Sequence, residues 1–371
     1  MSIARYFHTA SILTNGTVLV NGGFTAGRTY TVTTELYDPS TGMWTNTGNM
    51  ISPRRLHTAS VLRDGKVLVA GGEIGWENLA SAELYDPSTG SWTNIGNMST
   101  ARMGHTASIL ANGSVLIAGG ANEHVLATSE LYNPSTGLWT NTGTLTDARY
   151  EHTASVLTDG KVLVVGGYTA GRLLSAELYD PSTGLWTKTG SMKNAPVSHT
   201  ASVLTDGKVL VVGGRDFGVT LNSAELYDPS TGSWTNTGSM HRARLSHTAS
   251  VLTNGKVLVI DGVGVGELSS AELYDPSTGI WTQIRSLHAD RHLHTASVLK
   301  NGNVLVVGGA RELDYHLNSA ELYDTSIEVC TDATSKNIKQ VKNTASILNN
   351  DHVLFPDDHH DFDLNNTELF S

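Results

Sequence analysis

Histidine recurs along the chain at His8, His57, His105, His152, His199, His247 and His294, each followed by Thr-Ala-Ser, and Asn343 opens an eighth copy of the same string. The interval is 47 to 49 residues. Imidazoles converging from several segments are the raw material of a transition-metal site. Arginine stands three residues before six of these positions (Arg5, Arg54, Arg102, Arg149, Arg244, Arg291), and Pro196 and Gln340 replace it in the other two copies. A ring of guanidinium groups could attract anionic ligands. Glutamate recurs as well, at Glu35, Glu83, Glu130, Glu177, Glu225, Glu272, Glu321 and Glu368. Repetition favours a plainer role for all three, since a residue copied in every unit serves something every unit needs. We expect the His to hydrogen-bond the neighbouring strand. We expect Arg and Glu, or Glu and backbone amides, to form a repeated contact between units, because a carboxylate inside a packed sheet needs a partner.

Other reactive groups are sparse. The single cysteine, Cys330, excludes an internal disulfide. The run DDHHDFD from Asp357 to Asp363 clusters carboxylates and imidazoles, but it lacks calcium-loop spacing and reads as a solvated acidic loop. No Ser-His-Asp order, catalytic carboxylate pair or CxxC stands out from the repeat background, so no catalytic residue, metal ligand set or cofactor is assigned.

The elements that carry these residues follow one plan per copy: a run such as HTASVL, a turn such as TDG, a run such as KVLVVGG, a variable loop, then SAELYDPSTG and Trp-Thr. That is four short strands. Asn-Gly or Asp-Gly between the first two (Asn15-Gly16, Asp64-Gly65, Asp159-Gly160, Asn254-Gly255) supplies positive φ for a tight hairpin. In YDPSTG, Asp caps the turn, Pro fixes φ and Gly reverses the chain into the fourth strand. Gly pairs such as Gly71-Gly72 and Gly119-Gly120 end the second strand, where the lack of a side chain lets backbones approach; without a following helix they do not read as a phosphate loop. Trp44, Trp92, Trp139, Trp186, Trp234 and Trp281 occupy the fourth strand and should fill space between neighbouring sheets. Such small sheets cannot bury both faces alone and must stack on one another, and radial stacking gives a propeller.

Paired Gly after strand two, Tyr-Asp closing strand three and Trp on strand four resemble the kelch motif over essentially the whole chain. The stretch RYFHTASILTNGTVLVNGG, Arg5 to Gly23, is similar to blades of the galactose-oxidase branch of that superfamily. The resemblance implies an all-β fold, a kelch-type β-propeller of four-stranded antiparallel blades. The step from Trp to the next repeat start is 13 residues throughout, and Cys330 to Asn343 keeps it, so Cys330 stands in a Trp position. This register favours eight blades, the last incomplete, with seven the alternative. The chain is expected to be one domain, 1–371, with blades near 5–50, 51–98, 99–145, 146–192, 193–240, 241–287, 288–335 and 336–371.

The galactose-oxidase likeness also implies a copper chemistry to test: in that family Tyr directly before the repeat His serves as a ligand, and a Cys just after it cross-links to a Tyr. Here Phe7, Leu56, Gly104, Glu151, Ser198, Ser246 and Leu293 precede the His, and Thr follows it in every copy. A galactose-oxidase-like or carbohydrate-active enzyme is therefore the alternative to a binding scaffold, not the first reading.

The net charge of -11 offers no basic stripe for nucleic acid or anionic membranes. Apolar runs such as Val162 to Val165 are strand-length, far below the ~20 residues of a membrane helix. No leader pattern precedes the first repeat, so a cytoplasmic monomer is the default expectation. Function must lie where the copies differ. The one-to-two and three-to-four turns are near-copies, whereas the two-to-three and four-to-one connections vary and should open on one common face. We expect that face to bind a protein or carbohydrate partner through Arg28, Tyr30, Trp76, Glu123, His124, Arg172, Asp216, Phe217, Tyr315 and His316. Trp76, with Glu77 beside it, is the one Trp outside the repeat pattern.

Overall fold

The computed structural model describes residues 5–6, 8–25, 29–38, 43–194, 196–264, 266–267, 270–285, 287–292, 294–298, 302–307, 320–327 and 329–332, and the strand residues of 346–347, 353–355 and 368–370. Among these residues every regular element is a strand, and no helix is long and apolar enough to cross a membrane. Seven antiparallel four-stranded sheets follow one another, each with its strands in sequence order. The second repeat is representative: Thr58–Val61, Val67–Ala70, Ser81–Asp86 and Ser91–Asn97 pair in turn, with Ala59 opposite Val69, Leu84 opposite Leu68 and Tyr85 opposite Trp92. Three further strands, Ser346–Ile347, Val353–Phe355 and Glu368–Phe370, fall in the eighth copy.

The chain divides into two compact units, the first chiefly Met1–Gly171 with Glu177–Lys188, the second chiefly Arg172–Ala176 with Thr189–Phe355. Each unit's core lies between consecutive sheets. In the first, Leu62, Leu68, Ala70 and Met98 of the second repeat pack on Val115, Ile117 and Tyr132 of the third. In the second, Leu204, Leu210, Val212 and Met240 of the fifth repeat pack on Val257, Val259, Tyr274 and Trp281 of the sixth. The second strand is therefore buried on both faces, and alternate residues of VLVA or VLVV serve opposite neighbours. Each such fully buried Val or Leu contributes roughly 1.5–3 kcal/mol. First strands of successive sheets within a unit run beside one another, while fourth strands are largely exposed.

The turns refine the sequence reading. The one-to-two loop has three residues: the Leu62 N–H donates to the Lys66 carbonyl at 2.8 Å, Asp64 Oδ1 accepts the Lys66 N–H at 3.1 Å, and only Gly65 has positive φ, 83°. That is a turn ending in a glycine bulge, not a two-residue hairpin with both residues left-handed. The Gly pair is a packing device. A Cβ on Gly71 would meet the Arg102 carbonyl oxygen at 2.6 Å and His105 Cε1 at 2.8 Å, both from the next repeat.

Candidate functional site

Three of the repeated residue types are committed to the scaffold. Arg54, Arg102, Arg149, Arg244 and Arg291 are buried and ion-paired to Glu83, Glu130, Glu177, Glu272 and Glu321 at 2.7–2.9 Å. Arg102 also donates to the Gly119 and Thr128 carbonyls, while Glu130 accepts the Ser99 and Thr100 amides. The pair closes within one repeat, pinning the incoming four-to-one segment to that repeat's second and third strands, which corrects the expectation of an Arg–Glu contact between repeats. Polar contacts between repeats include backbone and His bonds. The Gly72 N–H donates to the Arg102 carbonyl at 2.9 Å, and His105 Nε2 lies 2.9 Å from Thr58 Oγ1 of the preceding repeat. Burial, followed by the charge of Arg102, holds the His105 imidazole down at about 3; burial holds His199 at about 4. These rings are neutral at physiological pH and already engaged.

The copper chemistry of the oxidase branch does not fit these residues. Nε2 of His57, His105, His152, His247 and His294 is taken up by Thr, and Leu56, Glu151, Ser198 and Ser246, where a Tyr ligand would stand, hold left-handed backbone at φ 53–54°. Cys330 lies on the fourth strand, Val329–Asp332, opposite Tyr323. Among the described residues no group of three or more His, Cys, Asp or Glu is placed to hold a metal.

The variable segments behave differently. In the first unit, two-to-three loops of the second and third repeats and the four-to-one residue Ala101 line one groove of about 740 Å³, formed by Ile74, Trp76, Glu77, Asn78, Ala101, Asn122, Glu123 and His124. The near-constant turns meet on another surface, where Arg63, Asp64, Asn112 and Gly113 line a pocket with Asn133, Pro134 and Ser135. The loop of the second repeat is a miniature hairpin, Glu73–Ile74 paired with Glu77–Asn78, and Gly75 at φ 62° opens its two-residue turn. Trp76 therefore stands at the tip, 101% exposed. In the third repeat Asn122 Oδ1 accepts the His124 N–H at 2.9 Å and Asn122 Nδ2 donates to the Ala101 carbonyl at 3.2 Å, which fixes Glu123 at a turn.

The structure thus brings Trp76, Glu123 and His124 together and adds Ile74, Asn78, Ala101 and Asn122, which the sequence did not single out. Tyr30 lies beside this cluster: the Arg55 guanidinium stands 5.5 Å over its ring and is paired with Glu73 at 2.7 Å. Arg172, Asp216 and Phe217 form a separate group in the second unit. Arg172 lies 3.9 Å from Asp216 and 5.9 Å from the Phe217 ring, and Phe217, 82% exposed, tops a hairpin with Gly218. Phe217 has φ 40°, a strained value for a bulky residue. Arg28, Tyr315 and His316 lie outside the described residues. The signal for the missed residues was positional only: they fall on variable connections, but nothing in their types distinguished them.

Sheets of four antiparallel strands in sequence order, packed face to face within each unit, define a kelch-type β-propeller. The chain belongs to the kelch-repeat family: the family model described as KLHDC2/KLHL20/DRC7 Kelch-repeats domain matches residues 104–309, more than half of the chain, and a Kelch motif model matches residues 54–99. Among solved structures it is similar to a "novel fungal alcohol oxidase with catalytic diversity among the AA5 family, in complex with copper", with 19% identity, TM-score 0.65, and coverage of 83% of this chain and 70% of that one. It is also similar to YjhT, with 17% identity, TM-score 0.54, and coverage of 76% and 98%. At these identities the likeness speaks for fold alone. No curated protein matches the chain at a significant level. Kelch repeats commonly mediate protein interaction, which agrees with a scaffold role.

Proposed function

We propose that the chain is a non-catalytic binding module, one propeller domain of eight blades with the last incomplete, that takes a protein or carbohydrate partner on its variable face. The observation that carries this reading is the groove between the second and third repeats, with Trp76 fully exposed at the tip of a rigid hairpin. A large flat side chain held clear of the surface loses little conformational freedom on binding and offers an amphipathic anchor to a peptide or a sugar ring. The scaffold beneath it repeats the same four-stranded plan. Among the described residues the repeated His and Arg nearest the first strands are spent on hydrogen bonds and ion pairs, which favours a scaffold role for them over a catalytic one.

The test is capture from a proteome and from a glycan array, with wild type against Trp76→Ala. Partners retained by wild type and lost by the variant, at unchanged melting temperature, support the reading. Equal retention by both would refute the groove as the docking site.

A further inference from the structure

Resting on that docking reading, we infer that the groove recognises a cationic side chain and that its partner is a protein segment presenting an arginine there. The lining residues include two carboxylates, Glu77 and Glu123, and no Lys or Arg. Both are exposed, and neither forms a hydrogen bond or ion pair among the described residues. Glu73, on the same miniature hairpin, makes the contrast: its carboxylate is already taken by Arg55 at 2.7 Å. The groove therefore holds two carboxylates without a partner among the described residues, beside a fully exposed indole.

That pairing selects its ligand. Tryptophan gives the strongest cation–π face, and a guanidinium can stack on it while its edge donates in a fork to a carboxylate. Ile74 and Ala101 offer apolar surface for the methylene stem. An acidic segment would be repelled. A neutral sugar stacked on Trp76 would cover the two carboxylates without compensating their charge. The net charge of -11 adds long-range attraction for a basic segment.

The experiment selects a displayed library of random heptapeptides on the wild-type protein and resynthesises the winners. Arginine should be enriched at one position, and replacing it by neutral citrulline should weaken binding about tenfold. The double variant Glu77→Gln with Glu123→Gln should lose a comparable factor, Trp76→Ala should lose at least as much, and raising salt should weaken the wild type but not the double variant. All three side chains are exposed, so melting temperatures should not change. Winners without a basic residue, lost in Trp76→Ala yet indifferent to the Gln pair, would overturn the cation inference while leaving the docking reading intact. Winners indifferent to all three substitutions would overturn both.

Discussion

The third and fifth repeats solve the same burial problem in different ways. In the third, Arg102 is wholly buried and spans the Gly119 and Thr128 carbonyls, Thr128 Oγ1 and the Glu130 carboxylate, which also accepts two backbone amides. In the fifth, Pro196 occupies the Arg position, and among the described residues Glu225 has no such cation. Glu225 instead accepts the Lys193 and Asn194 amides, and Asn194 Nδ2 bridges to Ser223 Oγ at 3.0 Å, the hydroxyl position that the guanidinium reaches elsewhere. The sheet, its Tyr227–Trp234 contact and its packing survive the exchange. The amide contacts to Glu are thus the common element, and the Arg is a second layer that satisfies carbonyls as well as charge.

The sharpest way to break this comparison is to remove the guanidinium where it exists. Arg102→Ala strands a buried Glu130 and two carbonyls, and loss of one partner from a buried pair typically costs about 3–5 kcal/mol. Asn194→Ala in the fifth repeat removes one neutral hydrogen bond and should cost only about 1 kcal/mol. Denaturant unfolding of both variants measures the gap. Equal losses would mean that the Arg layer contributes nothing beyond a single hydrogen bond.

What could be read from the sequence followed the same division. Residues copied in every repeat announced strands, turns and packing, because each copy repeats the same physical demand: Gly71 and Gly119 must lack a Cβ under the next repeat's Arg carbonyl, and His105 must reach Thr58. The partner of each Glu was harder to place, since spacing alone does not say whether an Arg reaches forward within its own repeat or across to another. Left-handed backbone at Leu56, Glu151, Ser198 and Ser246 was invisible, because these residue types do not signal positive φ. In the groove, Trp76 and Glu123 stood out as departures from the pattern, whereas Ala101 and Asn122 became part of the site only once the chain was folded around them.

A second departure lies in the sixth repeat, where Asp261 replaces the first Gly of the pair at φ 49° with no exposed surface. Neither carboxyl oxygen has a hydrogen-bond partner among the described residues; Oδ2 makes only a long ion pair with Arg291 Nε at 3.7 Å, while Arg291 Nη2 is given to Glu321 at 2.7 Å. Burial outweighs that distant attraction and pushes the acid well above the usual carboxylate range. The native state then holds a proton that the unfolded chain releases above pH ~4, so stability falls as pH rises through that point toward the native value. Asp261→Gly relieves both the strain and the poorly satisfied buried acid and should stabilise by about 1–3 kcal/mol, more at neutral pH than at pH 4. Melting curves at the two pH values check the sign; a destabilised variant would show that the carboxyl has a partner in the folded protein.

The smallest expected difference concerns the histidines. If Arg were what kept these imidazoles neutral, the fifth repeat, lacking it, should behave differently from the third. His199 is nonetheless held at about 4 by burial, offset in part by its Nδ1 donating to the Pro196 carbonyl at 3.1 Å, against about 3 for His105. Both values lie below the unfolded value of ~6.5. As pH falls through that value the unfolded chain takes up a proton that the native chain refuses. Each imidazole therefore costs about 1.4 kcal/mol of stability per pH unit between roughly pH 6 and the native value, and none above pH 7. His105→Gln, which keeps a side-chain amide near Thr58 Oγ1, and His199→Gln should each flatten the stability–pH slope between pH 6 and 5 by that amount, to the same extent in both. Denaturant unfolding at pH 7, 6 and 5 reads the slopes. A slope unchanged by His199→Gln but flattened by His105→Gln would make Arg, rather than burial, the group that keeps the repeated histidine neutral.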